Sequence, residues 1–202
     1  MGPERESTIS VHRGMLEVQS KNKIRLAILG NSGSGKSTLA RWLSERTDAA
    51  LLDLDTVAWE PDRTAVARSD ESASADVRAF CSVQGNWVIE GCYANLMRVA
   101  LDFGPRLVFL NPGLEQCIAN CRSRPWEPHK YASKQQQDER LSFLLTWVGE
   151  YYTRDGAMSL AAHVDTFRAY RGPKEELRIV PMLNPPSPEV VGWLSSVRTT
   201  AR

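Results

Sequence analysis

Short aliphatic runs alternate with longer mixed stretches along most of the chain. Five runs have the length and composition of buried strands, at residues 24–29, 50–55, 86–90, 106–111 and 176–181. Such runs are typical of parallel strands that are covered on both faces. The stretches between them are long enough for helices, so the pattern predicts an α/β fold. It is expected to be a three-layer sandwich with a five-stranded parallel sheet.

Helix signals are clear after the first run and near the end of the chain. Residues 37–46 carry their apolar side chains on one side of a helix. Further on, Ser187 can cap a helix whose first position is Pro188. A last helix is therefore expected over residues 189–198.

A long insertion, residues 112–175, separates the fourth run from the fifth and is much longer than one crossover connection requires. Pro125 and Pro128 interrupt its helical pattern. We expect a helical lid over about 123–155, with a rigid helical appendage as the alternative. Helices are predicted within the insertion at 114–122, 135–152 and 158–170.

Length and charge limit the classes of protein to consider. The 202 residues favour one domain, expected over 23–202 after a flexible arm at 1–22 that lacks a sustained period. Lysine and arginine number 25 and acidic residues 24, so the net charge of +1 gives no bulk reason to expect nucleic acid or an anionic membrane as a partner. Any anionic ligand must be bound locally.

The four cysteines and three histidines lack zinc-binding spacing. The chain also lacks an apolar run of membrane-spanning length and an apolar segment typical of a signal peptide. We therefore expect a soluble cytoplasmic protein with reduced thiols and no membrane partner. The sequence does not determine an oligomeric state.

The segment GNSGSGKS, residues 30–37, matches the P-loop (Walker A) pattern G-x-x-x-x-G-K-[ST] between the first strand and the first helix. Backbone N–H groups near 33–38 are expected to surround a β-phosphate at the helix N-terminus. Lys36 would bridge the β- and γ-phosphates, and the Ser37 hydroxyl would bind Mg²⁺. The expected nucleotide-binding set is Gly30, Asn31, Ser32, Gly33, Ser34, Gly35, Lys36, Ser37 and Thr38.

Carboxylates follow two of the predicted strands. Asp53 and Asp55 end the second run, and Glu90 ends the third. The carboxyl ends of parallel strands share one edge of the sheet, where the P-loop also lies. One carboxylate should hold Mg²⁺, and another could accept a proton from a hydroxyl group. A helix cap or a surface carboxylate is the alternative for each.

Four segments resemble a known family in order and spacing: GNSGSGKSTLA, LLDLDTVAWEP, NWVIEGCY and RLVFLNPGLEQCIANCRSR. They resemble the small P-loop kinase-like proteins called topology modulation proteins and, more distantly, shikimate, gluconate and adenylate kinases. The resemblance implies a P-loop NTPase fold with ATP and Mg²⁺ as cofactors. Likeness to shikimate kinase implies that Asp53 binds Mg²⁺ through water and that Asp55 faces the acceptor. Glu90 stands where the family usually has Asp, and Asn111 where an Asp often ends the fourth strand.

Transfer of a phosphoryl group also needs positive charge around the γ-phosphate. By likeness to adenylate kinase, Arg122 and Arg124 are the first choices for catalytic residues, although exposed arginines are usually solvated. Lys130, Arg140 and Arg154 are further basic residues of the insertion.

Positions in loops predict the residues that bind the phosphoryl acceptor and the adenine ring of ATP. Trp59, Tyr93 and Arg98 follow the second and third strands, where an acceptor would bind, with core packing of the aromatic rings as the alternative. Glu90 belongs to the same substrate-binding set. P-loop kinases place adenine in the loop that corresponds to LNPP, so main-chain contacts are expected at Leu183 and Asn184.

Missing motifs exclude two classes of P-loop protein. The chain has no N-K-x-D element after the P-loop, as GTPase switches need, and no LSGGQ-like signature of transporter ATPases. The expected function is transfer of the γ-phosphoryl group of ATP to a hydroxyl or phosphate of an unidentified small molecule. The alternative is a regulatory or nucleic-acid-associated P-loop ATPase.

Overall fold

The computed structural model describes residues 24–60, 66–127, 132–180, 182–186 and 188. Within them, five strands form one sheet in the order β2-β3-β1-β4-β5, and every pairing is parallel. The predicted α/β fold with a five-stranded parallel sheet is confirmed. The strands are β1 (Arg25–Gly30), β2 (Ala50–Asp53), β3 (Trp87–Gly91), β4 (Arg106–Leu110) and β5 (Lys174–Leu177).

The helices cover both faces of the sheet and build the insertion. The arm predicted at 1–22 and the helix predicted at 189–198 lie outside the described residues. In chain order the described helices are α1 (Lys36–Thr47), α2 (Asp55–Ala58), α3 (Asp70–Val83), α4 (Ala94–Leu101), α5 (Leu114–Arg122), α6 (Lys134–Glu139), α7 (Leu141–Glu150) and α8 (Leu160–Ala169). In these ranges, every helix is too short or too polar to span a bilayer.

The single helix predicted at 135–152 is wrong, because α6 and α7 are separate helices that meet at Arg140. The Arg140 N–H bonds to the carbonyls of Gln137 and Asp138, so the last turn of α6 tightens and ends there. The two helices also have different surroundings. Helix α6 buries no residue, whereas α7 packs on α5.

Side chains alternate across the sheet and form two cores. Ala27 and Leu29 of β1 pack against α3, α4 and α8, whereas Leu26 and Ile28 pack against α1. Strand β3 alternates in the same way, with Trp87 and Ile89 on the first face and Val88 on the second. The period of two therefore places Glu90, two residues after Val88, on the α1 side of the sheet.

Part of the predicted lid is attached to the P-loop. A third small core joins α5 and α7 through Cys117, Cys121 and Val148, which are at most 3% exposed. The side-chain amide of Asn31 also donates to the Val148 carbonyl at 3.1 Å. Helix α7 is thus connected to the P-loop. That residues 123–155 move as a lid stays a prediction.

His163 on α8 joins α7 to the connection that follows β3. Its Nε2 lies 2.8 Å from the Cys92 carbonyl, and its Nδ1 lies 2.8 Å from the Tyr151 hydroxyl. A carbonyl can only accept, so Nε2 carries the proton and the Tyr151 hydroxyl donates to Nδ1. The side chain is fully buried, and burial lowers the pKa of His163 to about 4.

Stability is expected to fall below neutral pH because of His163. The unfolded histidine, with a pKa near 6.5, binds protons more readily than the folded one, so stability drops as the pH decreases from 6.5 towards 4. Between pH 7.5 and pH 5 this one group should remove about 2 kcal/mol of unfolding free energy. Urea unfolding at both pH values should show a drop smaller by about that amount in His163→Asn and His163→Gln. An equal drop in the wild type and both variants would contradict the assignment.

Candidate functional site

The P-loop depends on glycine at positions of close approach. Gly33 has φ +76°, a left-handed conformation that favours glycine. A Cβ atom there would overlap the Cys117 carbonyl of α5 and lie 2.7 Å from the Cys121 sulfur. At Gly30 a Cβ atom would overlap the Leu110 carbonyl of β4. The loop therefore lies directly against both α5 and β4.

Hydrogen bonds hold this loop from both sides. Lys36 is 8% exposed and donates from Nζ to the Asn31 carbonyl at 2.9 Å. The Asn31 side-chain oxygen accepts from the Ser32 N–H at 2.8 Å. From α5, the Asn120 amide donates to the Gly33 carbonyl at 2.8 Å. A lysine held beside glycine-rich backbone at the start of a helix fits a polyphosphate chain.

The carboxylates meet at the end of the sheet next to this loop. Parallel register pairs Asp53 of β2 with Glu90 of β3. The Asp53 Oδ1 atom accepts from the Asp55 N–H at 2.9 Å. Because Glu90 points to the α1 side, it faces Lys36 and Ser37 at the start of α1, and both lower its pKa. Strand order and pleat thus bring the three carboxylates to the P-loop.

Glu90 is 3% exposed, and its environment raises its pKa. Burial is the main cause, and the charges of Asp53 and Asp55 act in the same direction. The Lys36 charge and the Ser37 hydroxyl oppose the rise. A buried carboxylate among two others has too little positive charge around it, so added positive charge would favour its ionised form.

One cleft of about 570 Å³ unites these groups. Its floor is formed by Ser32, Gly33 and residues 35–38 of the P-loop. Asp53, Asp55 and Glu90, together with Gly91 and Cys92, line one side, which we call the carboxylate side. Asn120 and residues 123–127 line the opposite side, the α5 side, together with Val180. Arg124 is therefore in the cleft, 3.2 Å from Glu127.

Other predicted site residues lie elsewhere. Arg122, at the end of α5, borders a separate small cavity next to Lys134 and Asp138. Arg98 is exposed on α4, and Leu183 packs beside the core under α1. Neither Leu183 nor Asn184 lines the cleft as described. Their functional roles stay predictions, and Lys130 lies outside the described residues.

Trp59 and Tyr93, which were predicted to contact the phosphoryl acceptor, form a chain of hydrogen bonds that ends on Asp55. The Tyr93 hydroxyl donates to Asp55 Oδ1 at 2.8 Å, and the Trp59 Nε1–H donates to the Tyr93 oxygen at 2.6 Å. Both rings pack with the core of α3, α4 and α8. Neither ring lines the cleft as described, so direct contact with an acceptor also stays a prediction.

Sequence reasoning missed nine residues that line the cleft: Arg41, Gly91, Cys92, Asn120, Ser123, Pro125, Trp126, Glu127 and Val180. Arg41 lies one helical turn after Ser37 on α1, so helical periodicity could have identified it. Trp126 is 45% exposed and stands beside Pro125, which marked only a helix break in the sequence. Asn120 and Val180 carry no local signal, because only the fold brings them to the P-loop.

Within the described residues, no group of three or more His, Cys, Asp or Glu side chains is arranged to hold a metal ion by itself. Mg²⁺ usually keeps several waters and binds one or two carboxylates together with substrate phosphates. The hydroxyl of Ser37 and the carboxylates of Asp53 and Glu90 supply hard oxygen ligands of this kind. The donor set therefore fits Mg²⁺ that arrives with a nucleotide.

Comparison with known proteins shows the fold. No family model and no curated protein matches the chain. A gluconokinase structure from Sinorhizobium meliloti 1021 matches with a TM-score of 0.53 at 14% identity, over 90% of this chain and 95% of that one. This likeness shows that the chain has the fold of P-loop kinases. The distant resemblance predicted from the motifs is confirmed at that level, and the finer likeness to topology modulation proteins stays a prediction.

Two further structures match at lower scores. A sugar kinase from Janibacter sp. HTCC2649 has a TM-score of 0.45 at 14% identity, over 89% of this chain and 95% of that one. Deoxyadenosine kinase from M. mycoides has a TM-score of 0.46 at 10% identity, over 85% of this chain and 100% of that one.

Alanine at Gly33 is expected to disrupt the P-loop. The new methyl group would overlap α5, and φ +76° would strain any side chain, so Gly33→Ala should lower the free energy of unfolding by about 2–4 kcal/mol. Gly149→Ala in α7 is the matched control, because its Cβ atom meets nothing within 4 Å and helices favour alanine. Denaturant unfolding measures both variants. Equal stability of Gly33→Ala and the wild type would contradict the close approach.

Proposed function

We propose that the chain is an ATP-dependent phosphotransferase that moves the γ-phosphoryl group of ATP to a hydroxyl or phosphate of a small molecule. The observation that carries this proposal is one cleft that holds both the P-loop lysine and Asp55. A P-loop by itself serves many functions. A carboxylate across the cleft from Lys36 adds the group that a transferase needs to orient an acceptor.

The order of the strands supports one placement of the two substrates in the cleft. The P-loop follows the central strand β1, the carboxylate side follows β2 and β3, and the α5 side follows β4 and β5. A triphosphate on the P-loop would leave the acceptor on the carboxylate side and the nucleoside on the α5 side. Lys36 would then exchange the Asn31 carbonyl for phosphate oxygens.

Mg²⁺ would be held by Ser37 and Asp53, with Glu90 as the third oxygen ligand. When bound, the ion neutralises negative charge on the phosphates.

Arg124 is the cationic side chain on the α5 side that we assign to the transferring phosphoryl group, and Arg122 retains this role only as a prediction. Arg124 has to leave Glu127 to reach a phosphate, and both side chains of this ion pair are partly open to solvent.

The proposed reaction is a single displacement. The acceptor oxygen forms a bond to the γ-phosphorus while the bond from that phosphorus to the β–γ bridging oxygen breaks. The electron pair of the broken bond leaves with ADP, and the acceptor proton passes to the Asp55 carboxylate. Lys36 and Arg124 stabilise the charge that spreads over the phosphoryl oxygens.

Removal of the Lys36 ammonium should weaken nucleotide binding. Lys36→Ala loses the cation that would contact the phosphates, so we expect the Kd for Mg-ATP to rise about 10- to 100-fold. Isothermal titration calorimetry measures this directly. Lys134→Ala is the matched control, because Lys134 is exposed on α6 and pairs with Asp138. Unchanged binding by Lys36→Ala would refute the P-loop assignment.

Loss of the Asp55 charge should stop transfer but not binding. Asp55→Asn keeps the size of the side chain and removes its basicity, so turnover should fall about 10²- to 10⁴-fold while the Kd for Mg-ATP stays within about twofold. ADP release is measured with D-gluconate, shikimate, nucleosides and nucleoside monophosphates as acceptors. Asp165→Asn, an exposed carboxylate on α8, is the control.

Two results would contradict the transferase. Wild-type turnover in Asp55→Asn would remove Asp55 from the reaction. ATP consumption that no acceptor in the panel increases, with no phosphorylated product by mass spectrometry, would favour the regulatory ATPase.

A further inference from the structure

A directed chain of hydrogen bonds ends on Asp55. The Trp59 indole N–H donates to Tyr93, and the Tyr93 hydroxyl donates to Asp55 Oδ1. The direction is fixed by chemistry, since an indole N–H can only donate and an ionised carboxylate can only accept. The single tyrosine proton therefore points at Asp55. Two aligned donors in a protein interior polarise each other, which strengthens the bond to the carboxylate.

We infer that Tyr93 and Trp59 are positioning residues for phosphoryl transfer, which hold the Asp55 carboxylate in the orientation that the acceptor meets. The inference rests on the proposed function. It gives both aromatic residues a task different from the direct acceptor contact predicted from the sequence. Asp55 remains the catalytic residue, and Tyr93 and Trp59 act through it.

The surroundings explain why the carboxylate needs to be held. Asp53 and Glu90 are the other carboxylates at this edge, and the Asp55 charge raises the pKa of Glu90. The three carboxylates thus repel one another, and repulsion drives the half-buried Asp55 side chain towards solvent. Lys36 is a cation in the floor of the same cleft, and Cys92 lines its carboxylate side. The Tyr93 hydroxyl opposes the repulsion at a defined oxygen atom.

The two aromatic side chains are themselves fixed. Tyr93 is 8% exposed and immediately precedes α4, whose residues pack in the same core. Trp59 directly follows α2, and its backbone pairs with Ala67. Burial and the neighbouring Asp55 charge raise the pKa of Tyr93, so its hydroxyl stays protonated and keeps donating. The donors are therefore in place before a substrate binds.

Water serves as the acceptor in the test, so that no identified acceptor is required. Its oxygen forms the bond to the γ-phosphorus as the bond to the bridging oxygen breaks. ADP leaves with the electron pair, and Asp55 takes the proton. The assay is steady-state ATP hydrolysis with Mg²⁺ by the full chain.

Tyr93→Phe keeps the ring and removes only the hydroxyl. We expect kcat to fall about tenfold, with the KM for ATP unchanged within about twofold, because a loosely held general base loses alignment but the P-loop does not change. Trp59→Phe should cause a smaller loss of about threefold. Tyr152→Phe, which removes the hydroxyl of a tyrosine that is 39% exposed and outside the cleft, should leave kcat unchanged.

A double-mutant cycle separates positioning from a structural role. Tyr93→Phe in the Asp55→Asn background should cause no further loss, since Tyr93 acts only through the Asp55 carboxylate. If Tyr93→Phe lowers kcat equally in both backgrounds, or does not lower it at all while Asp55→Asn does, the inference is wrong and the proposed function stands. Full activity of Asp55→Asn would overturn both.

If ATP hydrolysis is too slow to detect, the affinity for a transition-state analogue tests the same inference. Mg-ADP with aluminium fluoride imitates the transferring phosphoryl group with its attacking water. Tyr93→Phe should weaken this complex about tenfold relative to wild type and leave Mg-ADP affinity unchanged. Equal affinities for the fluoride complex in wild type and Tyr93→Phe would overturn the inference.

Discussion

The candidate site depends on an excess of buried negative charge where strands β2 and β3 end, next to the P-loop. Asp53, Asp55 and Glu90 converge there, and Glu90 is almost completely removed from water. Lys36 is the buried cation beside them. Like charges in a medium of low dielectric constant repel strongly, so this edge is most stable when further positive charge is present. Oxygen donors with excess negative charge suit a divalent cation, and the adjoining P-loop suits the anion that carries it. The same imbalance explains why Asp55 has its own hydrogen-bond donor.

Local sequence patterns were sufficient to predict four of the strands but not the position of the edge strand β5. The four strands β1 to β4 lie within two residues of the aliphatic runs. Strands β1, β3 and β4 bury nearly all of their side chains, and the edge strand β2 is apolar although none of its residues is fully buried. Strand β5 is Lys174–Leu177, two residues earlier than the predicted run at 176–181. Among the residues that the structure describes it pairs only with β4, and none of its residues is fully buried. Ile179, which favoured the later run, is 46% exposed. An edge strand can be polar since one of its sides lacks a partner.

Some residues of the candidate site could be predicted from short motifs, whereas other contacts form only when the fold brings distant segments together. The P-loop and the end-of-strand carboxylates could be predicted because their chemistry is tied to short segments with fixed positions in the fold. The contact between Tyr93 and Asp55 joins residues on different strand connections, so neither segment signals it. Periodicity also joined α6 and α7 into one helix, since both read as helical and only the change in packing at Arg140 separates them.

Asn31 shows how far the geometry of a short motif depends on distant residues. Its carbonyl accepts from Lys36, its side-chain oxygen accepts from the Ser32 N–H, and its amide donates to Val148 of α7. Asn120 of α5 holds the same loop at Gly33. Each buried bond contributes on the order of 1 kcal/mol, and an unpaired amide would cost more. The match to G-x-x-x-x-G-K-[ST] therefore predicts phosphate binding, but helices more than eighty positions away hold the loop in its conformation. Residues of the insertion therefore hold the P-loop in place together with its glycines.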